Sequence, residues 1–212
     1  MPPRPLILAS ASPRRAALLE EAGFRFEIVP STVDEDALTP TLDSHELPAA
    51  LAVAKGEDVA ARSPRGVVVL AADTVVYTQV DQILGKPADR DDARRMLALL
   101  GGSIQRVVTG LCVIDNQTGV RRSGMVRSDV TMRPLSDADI DAYLATGGWR
   151  GKAGAYGIQD EPGAGDPGGP FVTNIDGELT NIVGLPMPQV VEWLAEVGVE
   201  PTGDANLSPD GP

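Results

Sequence analysis

Residues Val67–Ala72 form an unbroken apolar run, Val-Val-Val-Leu-Ala-Ala, that ends directly on Asp73. Such a run, led by β-branched residues, fits a strand buried on both faces, so other elements must cover it on each side. Around it, helical and strand patterns alternate early in the chain, and antiparallel-looking strands follow. This order predicts a mixed α/β fold: a twisted central sheet with flanking helices.

Leu6–Ser10 reads as a short buried strand. Ser12 then stands as a helix cap, with Pro13 at the first helical position and Gly23 as the stop. Phe24–Pro30 alternates, with Phe24, Phe26 and Ile28 on one face, and reads as a strand. Ser31–Pro48 is polar, a loop or a loose helix. Leu47–Ala61 is alanine-rich and helical. Val75–Thr78 and Gln82–Leu84 flank a turn at Val80–Asp81. Asp91–Leu100 is a helix closed by Gly101 and Gly102, with Asp89, Asp91 and Asp92 stabilising its start. Val107–Ile114 and Val120–Met132 are strands joined through Asp115–Gly119. In the helix Ser136–Thr146, Ser136 and Asp139 are spaced as a capping box. Gly151–Gln159 is punctuated by glycine, and Asp160–Pro170 is a Gly/Pro loop. Phe171–Ile175 is a strand, and Met187–Val197 is the last helix. A chain of 212 residues suits one domain over residues 1–199, with room for two lobes; residues 200–212 read as a disordered tail.

The formal net charge is -12, which disfavours broad binding to nucleic acid or to anionic membranes. An anionic ligand therefore needs a local basic cluster. One cysteine and one histidine exclude a Cys/His zinc cluster and leave His45 alone to build a Ser-His-Asp triad. Cys112 lies in an apolar run and reads as a buried small hydrophobe. His45 lies in a polar stretch and reads as solvated. A lone cysteine fits a reducing compartment, and no segment has the length of a signal peptide or a membrane span. The expectation is a soluble cytoplasmic protein whose chemistry runs on carboxylates, Lys/Arg, hydroxyls and a hard oxygen-bound cation.

Four places carry such groups. In Ser10-Ala-Ser-Pro-Arg-Arg15 a strand gives way to a helix start bearing two hydroxyls and two arginines. Helix starts bind anions, and Arg14 and Arg15 stand four residues before the core-facing Leu18 and Leu19. The segment is either a polyphosphate site or a capped helix with solvated arginines. Asp73 follows the most apolar strand, outside whose carboxyl end ligands of α/β sheets bind. Partial desolvation there suits a general base or a metal ligand. Lys86, in Gly85-Lys86-Pro87, can hold a phosphate as a point charge or be an exposed turn lysine. In Lys152–Gln159, two glycines, a lysine and a tyrosine precede Gln159, whose amide can pair with a pyrimidine edge or stay at the surface. Lys55 is either a further phosphate contact or a solvated lysine, and Asp34 and Glu35 either bind Mg²⁺ or form an acidic loop.

These segments run in order with Val33-Asp-Glu35, Ala72-Asp-Thr-Val75, Thr109-Gly110, Tyr156-Gly-Ile-Gln159 and Asn181-Ile-Val-Gly-Leu-Pro186 across about residues 6–190. The ordered set resembles the Maf family of nucleotide pyrophosphatases. The resemblance implies a Maf/ITPase-like fold with two lobes around a cleft, and hydrolysis of a nucleoside triphosphate to the monophosphate and pyrophosphate. The Tyr156–Gln159 form looks like the subgroup acting on dTTP, UTP and modified pyrimidine nucleotides. In that family the residue matching Asp73 is the proton acceptor. The residues matching Arg14, Thr74 and Gln159 govern specificity. Mg²⁺ or Mn²⁺, with Glu35 and Asp73 as candidate ligands, would bridge a triphosphate contacted by Ser10, Arg14, Arg15, Lys55, Lys86 and Lys152. A homodimer is also implied. Other readings are a 7-methyl-GTP pyrophosphatase and a non-catalytic nucleotide-binding regulator of cell division. Gln105, Ser128-Asp129, Gly151 and Glu178-Leu179-Thr180 depart from the family pattern without removing a residue the chemistry needs.

Overall fold

The apolar run is a strand, and it is longer than its pattern predicts. The computed structural model describes residues 4–38, 45–160 and 170–202. Among the described residues there are seven strands: β1 (Leu6–Leu8), β2 (Glu27–Ile28), β3 (Val68–Tyr77), β4 (Ile83–Leu84), β5 (Ile104–Asp115), β6 (Arg121–Met132) and β7 (Val172–Asp176). Their order is β2-β1-β3-β5-β6-β7, with β4 on β3. β1 runs parallel to β2 and β3, with Leu6 opposite Val68 and Leu8 opposite Leu70. β4 is antiparallel to β3, and β7 to β6. The sheet is thus mixed, as expected. The helices are α1 (Pro13–Glu21), α2 (Glu35–Leu38), α3 (Leu47–Ala61), α4 (Arg90–Leu100), α5 (Asp137–Thr146), α6 (Leu179–Val183) and α7 (Met187–Glu196). Two 3₁₀ turns follow α5, at Ala153–Ala155 and Ile158–Asp160.

Three local expectations change. The predicted strands Val67–Ala72 and Val75–Thr78 are one strand, because β3 exchanges its parallel partner β1 for its antiparallel partner β4 without breaking. The strand expected over Phe24–Pro30 shrinks to β2, since the three residues of β1 offer it only two pairing positions. Phe24 still packs inward, but Ile28 at this sheet edge is 49% exposed. Ser12 sits at the N-cap of α1 but its side chain makes no cap bond; its N–H donates to Ser10 Oγ at 3.2 Å instead. The capping box at Ser136 and Asp139 forms as expected. The Gly/Pro loop and the tail fall largely on residues 161–169 and 203–212, outside the described residues.

The chain divides into two compact units, Met1–Asp73 with Gly110–Met125 and Gly184–Pro212, and Thr74–Thr109 with Val126–Val183. The core of the first contains Ile7, Ala52, Val59, Val69, Ala71, Cys112 and Ile114. Burial there pushes the Cys112 thiol up to about 12, which leaves it an inert hydrophobe. In the second, Val76, Leu97, Leu100 and Val107 pack with Tyr143 and Phe171, and Tyr156 stacks on Phe171 at 5.6 Å between ring centroids. His45 is exposed, as expected. No helix among the described residues is long and apolar enough to cross a membrane.

Gly110 in β5 shows how tightly α3 sits on the first unit's strands. A Cβ placed there would lie 2.0 Å from the Pro48 carbonyl oxygen and 2.4 Å from the Ala49 nitrogen. Both are backbone atoms at the start of α3, so no rotamer change relieves the clash. Gly110→Ala is expected to destabilise the chain by at least the upper end of the about 1–3 kcal/mol typical of overpacking. A urea midpoint unchanged from the wild type would show that α3 yields here at no cost.

Candidate active site

One cluster of charged groups in the first unit lies beyond the end of β1. After Leu8 the chain stays bonded to β3 through Ala9 N–H and the Leu70 carbonyl, at 2.8 Å. It then turns into α1 at Ser10, whose side chain is buried. Arg15 reaches back from the first turn of α1. Its Nη1 donates to Ser10 Oγ at 3.1 Å and to the Ala72 carbonyl at 2.8 Å, and its Nε donates to the Gly184 carbonyl at 2.8 Å. Arg15 is therefore not a solvated arginine. Its guanidinium is a cross-brace on the main chain next to Asp73. Burial holds the Arg15 guanidinium below its usual value; the Asp73 carboxylate pulls the other way, Arg14 adds to the lowering, and Glu35 opposes it. Arg15 remains charged, since guanidinium does not deprotonate in proteins.

Asp73 is not beyond the end of a strand, as expected from the apolar run, but inside β3. The reason is the change of partner: pairing with β1 ends at Leu70 and pairing with β4 starts at Val76, and Asp73 lies between. Its side chain is buried, and its Oδ1 accepts from Lys55 Nζ at 2.6 Å. The same Nζ lies 2.9 Å from Glu35 Oε1. Lys55 is therefore not a solvated lysine. It shares the α3 face of Leu51 and Val59, four residues to either side, and that face is buried. Glu35 opens α2, and Asp34 Oδ1 accepts from Ala37 N–H at 3.1 Å, which makes Asp34 a cap and not a member of the cluster.

Asp58, which the sequence did not single out, holds the approach to Glu35. It accepts from Thr32 N–H at 2.8 Å and from the hydroxyls of Ser31 and Thr32 at 3.0 Å each. The Thr32 N–H is the chief cause that holds the Asp58 carboxyl below its usual value. Asp58 stands three residues after Lys55 on α3, so one helix carries both the ammonium and the tether for Glu35. Arg14, Arg15 and Lys55 thus stand in one electrostatic cluster with Glu35 and Asp73.

In the second unit, Lys86 is exposed in the loop after β4. The carbonyl before it, on Gly85, accepts from Gly154 N–H at 3.0 Å, which ties the Gly85–Pro87 loop to the Lys152–Gln159 segment. Lys152 is buried and lies over Gly157, where a Cβ would come within 2.6 Å of its Nζ. Gly154 and Ala155 follow with φ of 68° and 61°. The left-handed Ala155 is a strained position of the kind that clusters at functional sites. Gln159 is exposed at the end of this segment. Thr74 opens the unit, with its Oγ1 3.0 Å from Thr109 Oγ1.

The departures from the family pattern also find places. Ser128 Oγ donates to the Glu178 carbonyl at 3.0 Å and accepts from Glu178 N–H at 2.9 Å, so the retained hydroxyl is in use. Gly151 has φ of 69°, a conformation that glycine adopts without strain. Gln105 is buried, and among the described residues its Nε2 has no partner.

The fold and this site define a class: a mixed α/β protein with a carboxylate–ammonium–carboxylate bridge beside arginines. Residues 5–197 match the model of the Maf-like protein family, and the chain belongs to that family. It is 43% identical over 190 residues to a dTTP/UTP pyrophosphatase of Lacticaseibacillus casei (strain BL23), covering 89% of this chain and 97% of that protein. It is 41% identical over 212 residues to a dTTP/UTP pyrophosphatase of Dehalococcoides mccartyi (strain ATCC BAA-2266 / KCTC 15142 / 195), covering 97% of this chain and 88% of that protein. Among solved structures, a HAM1 protein from Coxiella burnetii aligns at 14% identity with a TM-score of 0.39, covering 74% of this chain and 89% of that one.

Proposed function

We propose that this chain hydrolyses dTTP and UTP to the monophosphate and pyrophosphate, in the cytoplasm, with Asp73 as the base. The observation that carries the reading is the Lys55 bridge, which holds Asp73 and Glu35 on one ammonium beside Arg15. The names of the relatives supply the nucleotide. Asp73 takes a proton from water as its oxygen attacks the α-phosphorus, the Pα–O–Pβ bond breaks, and pyrophosphate leaves. Arg14 and Lys86 neutralise the phosphates, Lys152 supports them, Ser10 and Arg15 position the main chain, and Thr74 and Gln159 choose the base. Catalysis then comes from positioning and charge, not from covalent chemistry.

Glu35 and Asp73 are hard oxygen donors of the type a divalent cation takes, and in this structure both face the Lys55 ammonium. No group of three acids, histidines or cysteines able to hold a metal occurs among the described residues. Mg²⁺, however, usually takes one or two carboxylates and completes its shell with water and substrate phosphates. Bound to Glu35 and Asp73, Mg²⁺ or Mn²⁺ would supply neutralisation of triphosphate charge.

One assay tests the whole reading. Pyrophosphate release is measured with dTTP, UTP, CTP and 7-methyl-GTP, with and without Mg²⁺. dTTP and UTP are expected to react fastest and to need the metal. Binding without pyrophosphate release would make the chain a nucleotide binder, and a preference for 7-methyl-GTP would overturn the pyrimidine assignment.

A further inference from the structure

Thr74 is the one residue of β3 that is not buried. Behind it lies a chain of hydroxyls with a fixed direction. Thr109, fully buried, donates through Oγ1 to the main-chain carbonyl of Asn181 at 3.0 Å. A carbonyl only accepts, and a hydroxyl carries a single proton. Thr109 has therefore no proton left for Thr74, and in the 3.0 Å contact between the two hydroxyls Thr74 is the donor. Asn181 cannot shift to reverse this order. Its Nδ2 donates to the Val107 carbonyl at 3.1 Å and to Ser128 Oγ at 2.9 Å, and the residue is fully buried.

With its proton directed at Thr109, Thr74 Oγ1 meets any ligand as an acceptor. From this we infer that Thr109 and Asn181 are specificity-positioning residues: they fix Thr74 as an acceptor for the imide N3–H of thymine or uracil. Cytosine presents an unprotonated N3, a second acceptor, at the same place. The inference rests on the dTTP/UTP reading above, and it explains how a hydroxyl, which could by itself donate or accept, comes to distinguish uracil from cytosine.

Thr109→Val removes the acceptor that holds the Thr74 proton while keeping the side chain's shape. Thr74 can then turn its proton to cytosine N3. The wild-type chain is expected to favour UTP over CTP in kcat/KM by about 10-fold or more, the scale of a hydrogen bond exchanged for two facing acceptors. In Thr109→Val the ratio should fall to within about 3-fold, whereas Thr109→Ser, which keeps the hydroxyl, should retain it. An unchanged ratio in a folded Thr109→Val variant overturns the proposal. If that variant does not fold, N3-methyl-UTP decides with the wild-type chain: a loss of about 10-fold against UTP upholds the acceptor, and equal turnover overturns it. A wild-type chain that releases pyrophosphate from UTP and CTP equally removes the base assignment instead. The hydroxyl chain is then judged by urea midpoints of Thr74→Val, Thr109→Val and the double variant. Non-additive shifts support it, and additive shifts overturn it.

Discussion

Asp73→Asn is expected to lower kcat for pyrophosphate release by about 10²–10⁴-fold, the usual contribution of a positioned base. KM should change little. Asparagine keeps the shape of aspartate and still offers an oxygen to Lys55 Nζ, which also keeps its contact with Glu35 at 2.9 Å. Arg15 is also held without the carboxylate: it donates to Ser10 Oγ and to the main-chain carbonyls of Ala72 and Gly184. The cationic side chains therefore persist while the proton acceptor is lost. A fall in kcat with KM held would mark an interaction made only in the transition state. Steady-state kinetics together with calorimetric nucleotide binding separate the two effects. A variant that turns over near the wild-type rate would remove Asp73 from the chemistry.

The frame of this site was legible because it is written in local patterns. Leu47–Ala61 is a helix with the expected ends, and the capping box of α5 forms where Ser136 and Asp139 predict it. The place of Asp73 was only half legible. An apolar run marks a buried strand, but it carries no signal of where that strand leaves one partner for another, and it is this exchange that puts Asp73 mid-strand. Lys55 was readable in principle. Its spacing of four from Leu51 and Val59 puts it on the buried face of α3, and a lysine on a buried face needs a carboxylate. Which carboxylate was not readable, because Asp73 lies 18 residues away on another element. Thr109 and Asn181 are further apart still, at 72 residues, and nothing in a threonine within an apolar strand announces a bond to a distant carbonyl. Local periodicity thus reveals elements and faces, whereas partners across the fold follow from topology.

Lys55→Met should be the most damaging change in the first unit, through stability as well as turnover. The Lys55 and Asp73 side chains are only 10% and 9% exposed, so removing the ammonium strands a carboxylate that water reaches poorly. Breaking a buried pair from one side costs about 3–5 kcal/mol. Glu35, at 41% exposed, can turn to solvent, so the loss should fall mainly on Asp73. The double variant Lys55→Met/Asp73→Asn separates the two consequences. With no charge left to strand, it should recover much of the lost stability, seen as a return of the urea midpoint toward the wild type. Its activity should stay as low as that of Asp73→Asn, because the base is still absent. Independent, additive shifts in the midpoint would mean that Lys55 stabilises the chain through the packing of its stem and not through Asp73. Recovery of stability without recovery of turnover would show that one ion pair serves both needs: the ammonium makes a buried carboxylate tolerable, and the carboxylate so held is the one that can accept a proton from water.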